Sequence, residues 1–123
     1  MIILNHKFLS SEKIFEVSEI NDIKDSPSNS TILFDFSEKN IEICNYCNIN
    51  SVEFAIRVKE LKEVLFSANL NAKYIFISDK SLALKAQKIA DNYMYDSKII
   101  LEIGSDRDLE ESALNEIDGV IFK

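Results

Sequence analysis

Alternating strand and helix signals predict an α/β fold, a single domain of repeated βα units around a mainly parallel sheet. Apolar, β-favouring runs recur at Thr31–Phe36, Val52–Val58, Lys73–Ile77, Lys98–Ile103 and Gly119–Phe122. Between them, apolar residues return at helical spacing. The interval from one run to the next is roughly 20–25 residues, the length of a compact βα unit. Two architectures meet this pattern: an open, doubly wound three-layer sheet with helices on both faces, or a TIM-like half-barrel. In both, a ligand site belongs at the carboxyl ends of the strands.

The elements are justified in order. Residues 1–30 form the less regular part. Met1–Leu9 and Lys13–Val17 read as short strands, a hairpin or two edge strands, and Ser18 caps a short helix over Glu19–Lys24. Asp25–Ser30, with Pro27 and Asn29, is a polar loop. Splitting the chain there would leave about thirty residues without a core, so residues 1–123 are expected to form one domain. From residue 31 the repeats are regular. A helix starts near Glu38 and ends around Cys44–Cys47. Lys59–Asn69 aligns Leu61, Val64, Leu65 and Ala68, and Asp79–Asp96 aligns Leu82, Ala86, Ile89, Ala90 and Tyr93. Ser78 or Asp79 caps the second of these. Ser105, with Asp108 three residues on, caps a last helix whose stripe is Leu109, Ala113 and Ile117.

The segment Ile103-Gly104-Ser105-Asp106-Arg107-Asp108-Leu109, continued by Ile117-Asp118-Gly119-Val120-Ile121-Phe122, resembles late βα units of TIM barrels. These carry a strand, a Gly-Ser turn, an acidic helix and an Asp-Gly-Val-Ile strand. The resemblance implies a half-barrel that supplies about half of the eight units, with a second copy supplying the rest.

Composition narrows the function classes. The formal net charge is −7, the pI is about 4.7, and no basic run interrupts the acidity. Nucleic acid and anionic membrane are therefore unfavourable partners. No stretch approaches the ~18 apolar residues of a membrane span, and the N-terminus lacks the pattern of a signal peptide. A cytoplasmic protein is expected, and the many Lys, Asn, Ile and Ser residues suggest an AT-rich bacterial genome. Gly104 and Gly119 are the only glycines, too few for a P-loop or a G-x-G-x-x-G turn. No cofactor is implied.

Charges inside otherwise apolar strands mark the candidate site. Asp35 follows Phe34, Arg57 follows Ile56, and Glu102 lies between Leu101 and Ile103. Strand alternation groups Leu33 with Asp35, Ala55 with Arg57, and Ile100 with Glu102. If these faces coincide, Asp35, Arg57 and Glu102 converge as a ligand-binding cluster, with Ser37, Lys59 or Asp79 as accessories. The plainer expectation is a structural ion pair of Arg57 with Asp35 or Glu53.

Other features carry weaker chemistry. Cys44-Asn45-Tyr46-Cys47 has redox spacing, but a reactive pair opens a helix rather than closing one. As a zinc site it supplies two ligands only, so two packing cysteines are expected. His6, the sole histidine, is expected to be an ordinary strand-end residue, with a dyad to Cys44 or Cys47 as the alternative. Gly104-Ser105 could bind an anion at a helix N-terminus, although Asp106 and Asp108 oppose it. Tyr93, Met94 and Tyr95 could form an exposed apolar end.

Three functions follow. The first is a non-catalytic interaction protein that forms a homodimer or docks on a protein partner. The second is a small-molecule-binding protein or enzyme with its site at Asp35, Arg57 and Glu102, completed by a second subunit in the half-barrel case. The third is a redox or zinc protein using Cys44 and Cys47.

Overall fold

The computed structural model describes residues 1–123. Its strands are β1 (Ile2–Leu4), β2 (Lys13–Glu16), β3 (Ser30–Asp35), β4 (Phe54–Arg57), β5 (Tyr74–Ile77), β6 (Lys98–Ile103) and β7 (Gly119–Phe122). The helices are α1 (Ile41–Ile49), α2 (Leu61–Asn69), α3 (Lys80–Tyr93) and α4 (Asp106–Leu114), with a 3-10 helix at Ile20–Asp25. All strand pairs are parallel and form one seven-stranded sheet in the order β1-β7-β6-β5-β4-β3-β2.

From β2 to β7 every crossover moves the same way, so the sheet lacks the reversal that creates two helical layers. The helices contribute to a single core, a cluster of 22 buried residues on one face, including Ile32, Phe34, Phe54, Ile56, Ile99 and Leu101. The other face buries a cluster of six hydrophobic residues, all from strands: Leu4, Leu33, Ala55, Tyr74, Phe76 and Ile100. The sheet is therefore a curled half-barrel, and the doubly wound alternative is set aside. It carries seven strands, more than the four of half a barrel, because residues 1–30 add β1 and β2 with no α-helix after either.

Residue size explains the helix packing. The outer strand face carries Phe34, Phe54, Ile56, Ile75 and Ile99, each almost fully buried. The helices meet these bulky side chains largely with small ones, Cys44 and Cys47 on α1, Ser67 on α2, Ala83, Ala86 and Ala90 on α3, and Ser112 on α4, beside the larger Ile43, Val64 and Gln87. This shifts the expected stripes. Leu65 and Tyr93 turn outwards, and Ala113 gives way to Ser112. On the concave side, Ala55 and Gly119 leave room for the curl. A Cβ on Gly119 would lie 2.7 Å from Ile2 Cβ and 2.8 Å from Ile100 Cδ1.

Local signals account for the ends of the elements. Asp79 caps α3 by accepting from Leu82 N–H at 2.8 Å, and Ser105 caps α4 through Asp108 N–H at 3.2 Å. Glu60 and Glu63 form a capping box on α2. Ser51, Asn71, Met94 and Glu116 hold left-handed conformations at or just after the four helix C-termini. Non-glycine residues at these positions help explain how the fold manages with two glycines, at a conformational cost of about 1–2 kcal/mol each.

The N-terminal region departs most from expectation. The strand expected over Met1–Leu9 stops at Leu4, where Asn5 adopts a positive φ of 61°. β1 and β2 are not a hairpin; they form opposite edges of the sheet. The expected Glu19–Lys24 helix is the 3-10 helix, capped by Glu19 and Asp22 rather than by the Ser18 side chain. α1 runs on to Ile49, which places Cys44 and Cys47 within it rather than at its end. No helix is long and apolar enough to cross a membrane.

Candidate functional site

The period-two alternation of the strands divides the concave face into three tiers. At the amino end, Glu12, just before β2, meets Thr31 and Tyr74. The middle tier is apolar, with Leu4, Leu33, Ala55, Phe76 and Ile100, joined by Ile14 and Ile121. At the carboxyl end the next inward positions are Glu16, Asp35, Arg57 and Glu102, followed by Lys123.

Asp35 and Arg57 are register partners on β3 and β4, and Arg57 Nη1 donates to Asp35 Oδ1 at 2.6 Å. The curl brings β2 and β6 to the same guanidinium. Nη1 and Nη2 donate to Glu16 at 3.2 and 3.3 Å, and Nε lies 3.4 Å from Glu102 Oε1. Lys123 Nζ is 3.3 Å from Glu102 Oε2. The hydrogen bonds that Arg57 donates to Glu16 chiefly, and to Asp35, overcome the desolvation penalty and raise the Arg57 pKa above its ordinary value. Glu102 is 11% exposed, and its Oε1 makes an ion pair with Arg57 without hydrogen-bond alignment. The cluster thus holds three carboxylates against two cations, and most of Arg57's five donors are occupied.

The structure brings Asp35, Arg57 and Glu102 together. Ser37 and Lys59 join Asp35 and Arg57 along a shallow pocket of about 410 Å³. Asp79 is occupied as the α3 cap. Glu53, the other partner expected for Arg57, instead pairs with Lys73. Sequence reasoning missed Glu16 and Lys123. Glu16 follows Ile14 as Asp35 follows Leu33, so the alternation was available, but β2 is short and its place in the sheet was undetermined.

The remaining candidates separate from this cluster. Cys44 and Cys47 are buried thiols, both with pKa pushed up to about 11, mainly by burial. This disfavours the thiolate needed for redox chemistry. No group of three or more His, Cys, Asp or Glu side chains is arranged to hold a metal. His6 Nδ1 accepts from Phe8 N–H at 3.1 Å, Nε2 lies 3.4 Å from Asp106, and the ring packs edge-on against Phe122. These contacts place it beside β7 and α4, not beside the cysteines on α1. The Ser105 hydroxyl caps α4. Tyr93 and Met94 are 72% and 85% exposed, while Tyr95 packs partly against the core.

The largest cavity, about 730 Å³, lies between the two sheet edges, against Ile14, Leu33 and Ile121. It adjoins the carboxyl-end cluster through Glu16, and its volume is that of a small-molecule pocket. Compared with protein-family models and with curated proteins, the chain matches none.

Proposed function

We propose that this protein binds a small polar molecule at the carboxyl ends of its strands. The observation behind this reading is the meeting of Glu16, Asp35, Arg57 and Glu102, from four different strands, at one end of the concave face. The apolar tier beneath them supplies a packed support. Arg57 orients the carboxylates, and the remaining acceptor positions suit a ligand rich in N–H or O–H donors. Binding rather than a named reaction is the reading.

The test is native mass spectrometry of protein purified gently from its own cells, beside an Arg57→Ala variant with an unchanged circular dichroism spectrum. A small-molecule adduct on the parent that disappears in Arg57→Ala supports the proposal. A bare parent, or an adduct retained by the variant, overturns it.

The exposed Tyr93 and Met94 favour a second reading, assembly with another copy or with a protein partner. Sedimentation over a range of concentrations, with and without Tyr93→Ser and Met94→Ser, tests the homodimer form. A dimer weakened by these substitutions is its expected result.

A further inference from the structure

We infer that the ligand of the carboxyl-end cluster is a small organic amine with an apolar body. Its ammonium meets Glu16, and its body lies in the cavity between the sheet edges, on Ile14, Leu33 and Ile121. This ligand class rests on the proposed binding function and narrows it.

Glu16 is the one side chain that lines both the carboxyl-end pocket of about 410 Å³ and the cavity of about 730 Å³. It shares its side of β2 with Ile14, two residues before it, and so turns to the concave face. Its side chain is 61% exposed, and each of its oxygens takes one N–H from Arg57, at 3.2 and 3.3 Å. A carboxylate has about four acceptor positions, so about two stay free on Glu16. Across the guanidinium, Glu102 Oε1 is buried and accepts no hydrogen bond. Arg57 therefore leaves the cluster short of donors. The surplus charge is negative, since Glu16, Asp35 and Glu102 face only Arg57 and Lys123.

The other charges around the cavity do not reverse this sign. The Lys7 ammonium rests on the Phe8 ring, 5.3 Å from its centroid. Lys13 alternates with Ile14 onto the helix-bearing face, alongside Phe15. Glu12 is taken up by Thr31, Tyr74 and Lys73, and His6 is held between Phe8 N–H and Asp106. Lys39 and Lys59 line the smaller pocket but not the cavity, which leaves the cavity side of Glu16 to an ammonium. The wall beside it is apolar, formed by Ile14, Leu33 and Ile121. An amine placed there combines a charge-assisted hydrogen bond with burial of apolar surface. An anion at the same place would meet Glu16 and Glu12 in a chain of net charge −7, and both the local and the whole-molecule field oppose it.

The experiment is a methyl-resolved NMR titration of the full chain with 4-phenylbutylamine, and separately with 4-phenylbutyrate, which reverses the charge on a similar apolar body. Saturable shifts of the Ile14, Leu33 and Ile121 methyls with the amine, and not with the carboxylate, are expected. Glu16→Gln should weaken amine binding by about tenfold. Glu16 is exposed, so this variant should fold normally, and its unliganded methyl spectrum checks that it does. Equal binding of the carboxylate, shifts confined to other methyls, undiminished binding by a folded Glu16→Gln, or no binding of the amine would each overturn the inference. The comparison of the two probes uses the parent chain alone, so it decides even where the variant does not fold. The site itself is read from a co-purifying adduct that depends on Arg57. Such an adduct without amine binding sinks the ligand class and leaves the site standing.

Discussion

The two ends of the concave face solve opposite electrostatic problems. At the amino end one carboxylate, Glu12, is surrounded by donors: Thr31, Tyr74 and Lys73. At the carboxyl end one guanidinium, Arg57, is surrounded by carboxylates: Glu16, Asp35 and Glu102. Burial alone would push the Glu12 pKa up, but hydrogen bonds from Thr31, Tyr74 and Lys73 outweigh it and hold the group below its ordinary value. The amino end is thus a closed network, in which Glu12 ties the start of β2 to β3 and β5. The carboxyl end retains an excess of acceptors and opens to a pocket. The difference fits fastening at the amino end and, under the proposed function, recognition at the carboxyl end.

Substitutions can break this contrast. The largest expected effect is at the amino end, where Gly119→Ala forces a Cβ against Ile2 and Ile100. A loss of about 1–3 kcal/mol is expected from urea unfolding. A smaller loss would mean that β1 moves away easily.

Next is Glu12→Gln, which removes the charge and replaces one of the two acceptor oxygens that Thr31, Lys73 and Tyr74 share with an NH2 donor, and should cost about 1–2 kcal/mol. It should also change the acid limb of the stability curve. The folded Glu12 pKa lies below its unfolded value of 4.5, so its contribution is complete above that pH and is lost as pH falls through the folded value. Stability measured from pH 7 down to pH 2 should fall less steeply in Glu12→Gln than in the parent. Equal slopes would remove Glu12 from its fastening role.

The same network predicts an alkaline effect. The Tyr74 pKa is pushed up from 10 to about 12, by burial first and then by its bond to Glu12. Its contribution is therefore present below pH 10 and is lost as pH rises through 12. Tyr74→Phe should flatten that limb, as measured by denaturant unfolding at successive pH values.

The smallest effect belongs to the carboxyl end. The Asp35 side chain is 61% exposed, so Asp35→Asn should change stability by less than about 1 kcal/mol. A loss larger than that of Glu12→Gln would reverse the assignment of the two ends.

Much of the fold was legible from local signals. β6 and β7 have the expected bounds, and Asp79 and Ser105 cap the helices they precede. These features depend on alternation and on side chains a few residues apart. On α2 and α3 the expected stripes are buried at Val64, Ala86 and Ala90, while Leu65 and Tyr93 turn outwards, because hydrophobicity alone favours Leu and Tyr where a crowded sheet admits Ala and Ser. Asp35, Arg57 and Glu102 were visible as charges in apolar strands. Glu16, Lys123 and Glu12 were not, because their partners lie about 20 or more residues away, and for Glu16 with Arg57 and Glu12 with Tyr74 on strands that are not neighbours.

The sequence by itself determined the βα alternation, the parallel sheet and the inward parity of each charged strand residue, since all three follow from periods of 2 and 3.6 within short segments. Only the tertiary structure decided that the helices share one face, that β1 and β2 become opposite edges, and that a cavity lies between them. Those outcomes depend on curvature, which arises where bulky outer residues, small helix residues and the small concave residues Ala55 and Gly119 pack together. No single segment contains that information.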